Sequence, residues 1–251
     1  MIRFSSNFRW LLTIAAVAGA LLFTGSTDAG PVVFVFVMAG WVASICVHEF
    51  GHAFAARLGG DHSATTAAYL DFDPARYVDP VGSLLWPTLL VAIGAFGFPG
   101  GAVYLNIGAL RSDLWRSVVS AAGPFASLLC ALLLALPLAF GLEDRIGTLT
   151  FWSAVALLAE LQVVGVLLNL LPIPSFDGWG ILEPHLPIAL RRAVEPIRPV
   201  AALVVLAALV MVPPIGHAFF NTAGVLTSLL GVDPGLSWDG WENFRFWRQA
   251  G

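Results

Sequence analysis

Long apolar runs make up most of this chain and leave only short polar stretches between them. The runs lie near residues 10–24, 32–58, 84–98, 117–140, 150–173, 199–212 and 215–231. A helix needs about 20 mostly apolar residues to cross a bilayer, and several runs are that long. Because 58% of the residues are hydrophobic and only 11% are charged, the sequence predicts an all-α, polytopic membrane protein with about six transmembrane helices. Residues 1–251 are expected to form a single domain.

The distribution of the twelve cationic residues, all of them arginine, predicts the orientation of the chain. Arg3 and Arg9 precede the first run, which by the positive-inside rule places the N-terminus in the cytoplasm. A cleaved signal peptide is the alternative, although no clean cleavage site follows the first run. The second run then returns inward and brings Arg57 to the cytoplasmic face. Only Arg145 is expected outside. Because the second run ends at the inner leaflet, polar groups near its end should face the cytoplasm.

Residues 84–110 depart from the pattern of simple spanning helices. Their second half reads "GFPGGAVYLNIG", in which glycines and the alternating Val103, Leu105 and Ile107 favour a short extended or hairpin segment. Extended backbone at membrane depth must be buried in protein or face a watery cavity. We therefore expect a re-entrant, extended segment near residues 84–110 that returns to the cytoplasmic side.

The stretch "VHEFGH" places three polar side chains at the end of the second apolar run. His48 and His52 are four residues apart, so on a helix they present two imidazoles from one face. Glu49 could reach a water molecule on a metal ion without being a ligand, which is the role of the glutamate in the H-E-x-x-H motif. A pair of ordinary helix histidines beside an interfacial glutamate is the alternative, but burying them uncompensated is costly. The motif predicts a zinc ion at the inner leaflet.

A catalytic zinc ion needs a third protein ligand and one open position. Asp177 lies in "LNLLPIPSFDGWG", where an inward-running helix is expected to end at the same leaflet as the histidines. Asp61 or His62 is the alternative third ligand. A further alternative is that Asp177 and Gly178 form an ordinary turn without a metal. Asn169, within the same segment, could hold the substrate backbone or a developing oxyanion, or bond to a neighbouring helix. Glu160 lies deeper in that segment, without an expected partner.

"HEFGH" on an early helix, "AAGPFAS" on a middle one and "NLLPIPSFDG" on a later one resemble, in that order, the site-2 protease family of intramembrane zinc metalloproteases. The segments "YLDFDPARYVDPVGSLLWPTLL" and "GFPGGAVYLN" resemble its small bacterial branch, which lacks PDZ and CBS modules. The resemblance implies that His48, His52 and Asp177 bind zinc. It also implies that Glu49 is the general base, that Asn169 lies beside the scissile bond, and that "GFPGGAVYL" pairs with an unwound substrate strand.

Two positions depart from the pattern of that family. Ser127 stands where an asparagine is usual after the Gly-Pro, and Trp179 replaces a small residue after the Asp-Gly. Neither residue is an expected metal ligand. The departures therefore put the handling of substrate in doubt more than the catalytic chemistry.

The function expected from these features is hydrolysis of peptide bonds within the transmembrane segments of other membrane proteins. The expected partners are such a substrate and the lipid bilayer, not nucleic acid, and no oligomeric state is predicted. A membrane metal transporter or sensor is one alternative, because it could use the same ligands for transit. An inactive scaffold that binds membrane helices is another.

Overall fold

The computed structural model describes residues 4–26, 29–77 and 105–248, and the regular secondary structure in these ranges is helical throughout. The α-helices are α1 (Ser6–Thr24), α2 (Ala29–Gly59), α3 (Ala64–Tyr69), α4 (Pro74–Tyr77), α5 (Asp113–Ala139), α6 (Leu149–Asn169), α7 (Asp177–Leu182), α8 (Ile188–Val194), α9 (Arg198–Met211), α10 (Pro213–Leu229) and α11 (Pro234–Phe244). Short 3-10 helices occupy Ile107–Ala109, Glu183–His185, Glu195–Ile197 and Phe246–Arg248. The all-α prediction is confirmed.

Five helical segments in the described part of the chain are long and apolar enough to cross a membrane. They are α1, α2, α5, α6 and the stretch Ile188–Met211, which contains α8 and α9. Helix α10, with 17 residues, is somewhat shorter. These segments confirm a polytopic membrane protein. Most of the segment predicted to be re-entrant, residues 84–104, lies outside the described residues, and its described end contains the 3-10 turn Ile107–Ala109.

Helix α2 is the longest helix described, with 31 residues. At 1.5 Å per residue it is about 46 Å long, whereas the hydrocarbon core of a bilayer is about 30 Å thick. Such a helix must tilt or extend past the hydrocarbon at one end. The polar HEFGH motif occupies its C-terminal part, where this excess length allows imidazole and carboxylate groups to lie close to the interface.

The chain divides into two compact units. The second of these comprises Ser6–Ser44, Leu128–Val164 and Asn221–Gly251. Its core is an apolar cluster of Ala135, Leu138, Trp152, Val155, Ala156, Ala159 and Val232. Helices approach closely here, because a Cβ at Gly40 would lie 2.5 Å from the side chain of Leu158. Small residues at helix contacts are typical of membrane bundles. Glu160 belongs to this unit.

The first unit comprises Met1–Ser5, Ile45–Ser127 and Gly165–Phe220, and it contains every residue predicted to act in catalysis. Its central contact joins α2 and α5, where a Cβ at Gly51 would lie 2.7 Å from the carbonyl oxygen of Ala122. Only a glycine permits the two backbones to approach so closely. This approach brings the first half of α5 alongside the histidines of α2.

Candidate metal centre

Two imidazoles from α2 and one carboxylate from α7 meet in the first unit. His48 Nε2 lies 3.1 Å from His52 Nε2. Asp177 places Oδ2 3.3 Å from His48 Nε2 and Oδ1 3.3 Å from His52 Nε2. The structure therefore brings together the three residues that the sequence predicted to be metal ligands, although 125 positions separate the last of the histidines from the aspartate.

A tight turn after α6 delivers Asp177 to this position. Helix α6 ends at Asn169, and Ser175, with φ of 80°, reverses the chain before α7 begins. The Ser175 hydroxyl donates a hydrogen bond to the carbonyl oxygen of Arg198, 2.6 Å away. A Cβ at Gly178 would lie 2.5 Å from the carbonyl oxygen of Leu171, so only glycine fits directly after the aspartate. The glycine of this Asp-Gly pair is thus required by the packing of the turn.

Helix α5 supplies a hydrogen-bond partner to each imidazole. His52 Nδ1 lies 2.7 Å from the carbonyl oxygen of Val119. Because a carbonyl only accepts, Nδ1 must carry a proton, so in the neutral imidazole the lone pair lies on Nε2, which faces the cluster. His48 Nδ1 lies 2.9 Å from the Ser127 hydroxyl oxygen. Such outer contacts fix the tautomer and orientation of metal-binding histidines.

Sequence reasoning missed both of these supporting groups. Ser127 was noted only as a departure that affects substrate handling, whereas in the structure it contacts a predicted ligand. A hydroxyl within an apolar helix was the available signal. The carbonyl of Val119 had no signal at all, since every residue carries a backbone carbonyl.

The arrangement of the three side chains fits a zinc ion. Tetrahedral ligands at about 2.0 to 2.1 Å from the metal are separated from each other by about 3.3 Å, which the distances of 3.1 to 3.3 Å match. Gly123 of α5 keeps the nitrogen atoms accessible, because a Cβ there would lie 2.6 Å from His48 Nε2. Two imidazoles and one carboxylate form a donor set that zinc accepts.

The charge of Asp177 also suits a metal ligand. Burial acts to raise the pKa of its carboxyl, but the nearby imidazoles of His52 and His48 outweigh burial and hold that pKa below its usual range. The aspartate is therefore ionised, which is the state that a metal requires.

A cavity of about 560 Å³ opens onto the three ligands. Glu49 and Asn169, the two residues predicted to be catalytic, both line it. Glu49 is 4% exposed, so it is almost fully buried. The volume lies within the range of about 300 to 1,000 Å³ that is typical of small-ligand sites. All five predicted site residues thus share one cavity.

Asp61, the alternative third ligand, is engaged elsewhere. Its carboxylate is fully buried and accepts hydrogen bonds from the hydroxyl of Thr66 at 2.5 Å and from the backbone nitrogens of Ser63 at 3.0 Å and Asn106 at 2.9 Å. His62, its neighbour, is exposed. These bonds tie the end of α2 to the segment that begins at residue 105. The described geometry favours Asp177 over Asp61 at the cluster.

The fold and this site define a class of protein, a multi-pass membrane protein with a zinc-type metal centre. The chain is 40% identical over 250 residues to the protein named as zinc metalloprotease Rip2 of Mycolicibacterium smegmatis, covering 98% of this chain and 95% of that protein. It is 42% identical over 250 residues to Rip2 of Mycobacterium tuberculosis, with the same coverage. It is 31% identical over 158 residues to YwhC of Bacillus subtilis, also named as a zinc metalloprotease, covering 60% of this chain and 68% of that protein.

No family model matches the chain, and no solved structure matches it. The chain belongs to the site-2 protease family of zinc metalloproteases, as its motifs indicated. The names of these relatives imply zinc as the metal, and they do not favour the alternatives of a transporter or a scaffold.

Proposed function

We propose that this protein is an intramembrane zinc endopeptidase that cleaves the transmembrane segments of other membrane proteins. One observation carries the proposal: ligand atoms of His48, His52 and Asp177 lie within 4.8 Å of one another, in a cavity that Glu49 also lines. A carboxylate beside a three-ligand zinc site is the arrangement of metal-assisted peptide hydrolysis.

The residues divide the work of hydrolysis between them. His48, His52 and Asp177 would hold the zinc ion, which when bound polarises the scissile carbonyl and makes water more acidic. Glu49 takes the proton from the attacking water and passes it to the leaving amine. Asn169 lines the same cavity, and its amide donates a hydrogen bond to the substrate carbonyl as negative charge develops there.

The membrane setting determines how a substrate reaches this site. Five helical segments fit a bilayer, so the bond to be cleaved belongs to a chain that shares the membrane with the enzyme. A helical peptide bond hides its carbonyl within the helix, so the substrate must unwind locally before attack. The arginines that flank the apolar runs support an orientation with the active site toward the cytoplasm. We further propose that residues 1–251 act as one catalytic domain.

The test combines metal content with cleavage in the purified full chain. Glu49→Gln is expected to keep its zinc and to lose cleavage of a transmembrane peptide by at least about a hundredfold, the usual weight of a general base. His48→Ala is expected to lose both. Asp144→Asn makes the same change of carboxylate to amide at an exposed position that does not line the cavity, and it serves as the control.

The proposal fails if Glu49→Gln, with zinc bound, cleaves the peptide at the wild-type rate. A transporter predicts a different outcome, namely flux of zinc across vesicles that contain the protein and no cleavage. A scaffold predicts binding of the peptide without cleavage by the wild type.

A further inference from the structure

We propose that Arg191 forms an anion-binding subsite within the active-site cavity and selects substrates that carry an acidic side chain near the cleaved bond. The inference rests on the proposed proteolysis, because it takes the occupant of the cavity to be a peptide. The argument begins with the charges that line the cavity.

Three arginines line the cavity, and two of them have acidic partners. Arg198 Nη2 lies 2.8 Å from Glu183 Oε2, and Arg198 Nη1 lies 3.8 Å from a carboxylate oxygen of Glu195. Arg116 Nη1 lies 3.3 Å from Asp113 Oδ1. The charges of these two arginines are therefore offset within the protein.

Arg191 is the third of these arginines, and it has no such partner within the described residues. It lies in α8, and its side chain lines the cavity that holds the metal ligands. Its Nε–H group is buried and donates no hydrogen bond to any described atom. No carboxylate of the described residues lies within 4 Å of its guanidinium. A cationic donor group thus lines the cavity without an acidic partner in the described part of the chain.

None of the three acidic side chains that line the cavity fills this role. Asp177 is held by the two imidazoles at 3.3 Å, and Glu183 is held by Arg198 at 2.8 Å. Glu49, the third, forms no ion pair with Arg191 within 4 Å. An unpaired donor buried in a protein is unfavourable, and the planar guanidinium matches a carboxylate in a two-bond fork. A carboxylate on the bound peptide supplies the missing partner, and the shared cavity places it only a few residues from the scissile bond.

Cleavage of matched peptides by the full-length protein in phosphatidylcholine vesicles tests this subsite. The probe is a transmembrane peptide of about 20 leucine and alanine residues, with glutamate or glutamine placed in turn at each position flanking the cleaved bond. At one position the wild type should cleave the glutamate peptide about tenfold faster in kcat/KM than the glutamine peptide, as expected for a charged hydrogen bond that is partly exposed to water.

The variants ask whether Arg191 causes that preference. Arg191→Gln should bring the ratio of the two kcat/KM values to about one. Arg191→Glu should invert the ratio, so that the glutamine peptide is cleaved faster than the glutamate peptide. Arg192→Gln removes the same charge from the neighbouring exposed position, which does not line the cavity, and should keep the wild-type ratio. A preference that survives Arg191→Gln, or one that Arg192→Gln abolishes equally, overturns the subsite.

A binding measurement separates failure of the subsite from failure of the proposed proteolysis. Fluorescence anisotropy of the labelled peptides on Glu49→Gln protein needs no cleavage, and the glutamate peptide should again bind about tenfold more tightly than the glutamine peptide. Equal binding of the two peptides overturns the subsite even if both are cleaved. Anionic lipid is the competing ligand: equal binding, together with phosphatidylglycerol binding that weakens only in Arg191→Gln, would assign Arg191 to a lipid headgroup instead.

Discussion

The substitution Gly123→Ala tests whether the helices of the first unit were packed for a metal ion. A methyl group at this position of α5 would lie 2.5 Å from His52 Cε1, 2.6 Å from His48 Nε2 and closer still to His52 Nε2. Comfortable separations are about 3.5 Å or more, so at least one ring must move by about 1 Å. Metal sites tolerate displacements of only about 0.2 Å.

The expected result is therefore a large loss of metal affinity without a loss of folding. Removing a contact that only orients a ligand costs about 10-fold to 100-fold in affinity, and displacing the ligand itself should cost at least as much. Alanine is a better helix former than glycine by about 1 kcal/mol, so the helix itself is not weakened. Zinc content after competition with a chelator, and cleavage of a transmembrane peptide, should both fall.

Gly165→Ala provides the matched control for this substitution. Gly165 belongs to the first unit and lies near the end of the spanning helix α6, and a Cβ there meets no described atom within 4 Å. This variant should keep its zinc and its activity, with an unchanged or slightly raised melting temperature. The packing argument is refuted if Gly123→Ala retains zinc and cleaves as well as Gly165→Ala does.

Other substitutions test the contacts around the site. Ser127→Ala removes the partner of His48 Nδ1 and should lower zinc affinity by about 10-fold to 100-fold, measured by chelator competition, while Ser127→Thr keeps the hydroxyl and most of the affinity. Asp61→Asn should lower the free energy of unfolding by about 2 to 4 kcal/mol and lower the melting temperature markedly. Asp113→Asn, at an exposed ion pair, should change the melting temperature little. Burial acts to raise the pKa of the Asp61 carboxyl, but its hydrogen bonds outweigh burial and lower it. Its contribution to stability is therefore complete above about pH 4, the unfolded value, and is lost as the pH falls through the lower folded pKa, so wild type and Asp61→Asn should converge in melting temperature in acid. A constant difference between them would contradict this assignment.

The sequence by itself determined the class of fold and most of the chemistry. Apolar runs of spanning length predicted the helices, since a backbone in lipid must satisfy its own hydrogen bonds. The spacing of His48 and His52 predicted a shared face, because a helix repeats every 3.6 residues. Both inferences depend on local periodicity, which a single chain carries in full.

Only the tertiary structure shows which distant groups lie together at the candidate site. The choice of Asp177 over Asp61 depends on the turn after α6 and on the donors that surround Asp61, and neither follows from a local pattern. The supporting contacts of Val119 and Ser127, and the unpaired charge of Arg191, likewise arise where helices from separate parts of the chain pack together. Periodicity assigns a side chain to a face of its helix, but packing decides what that face meets.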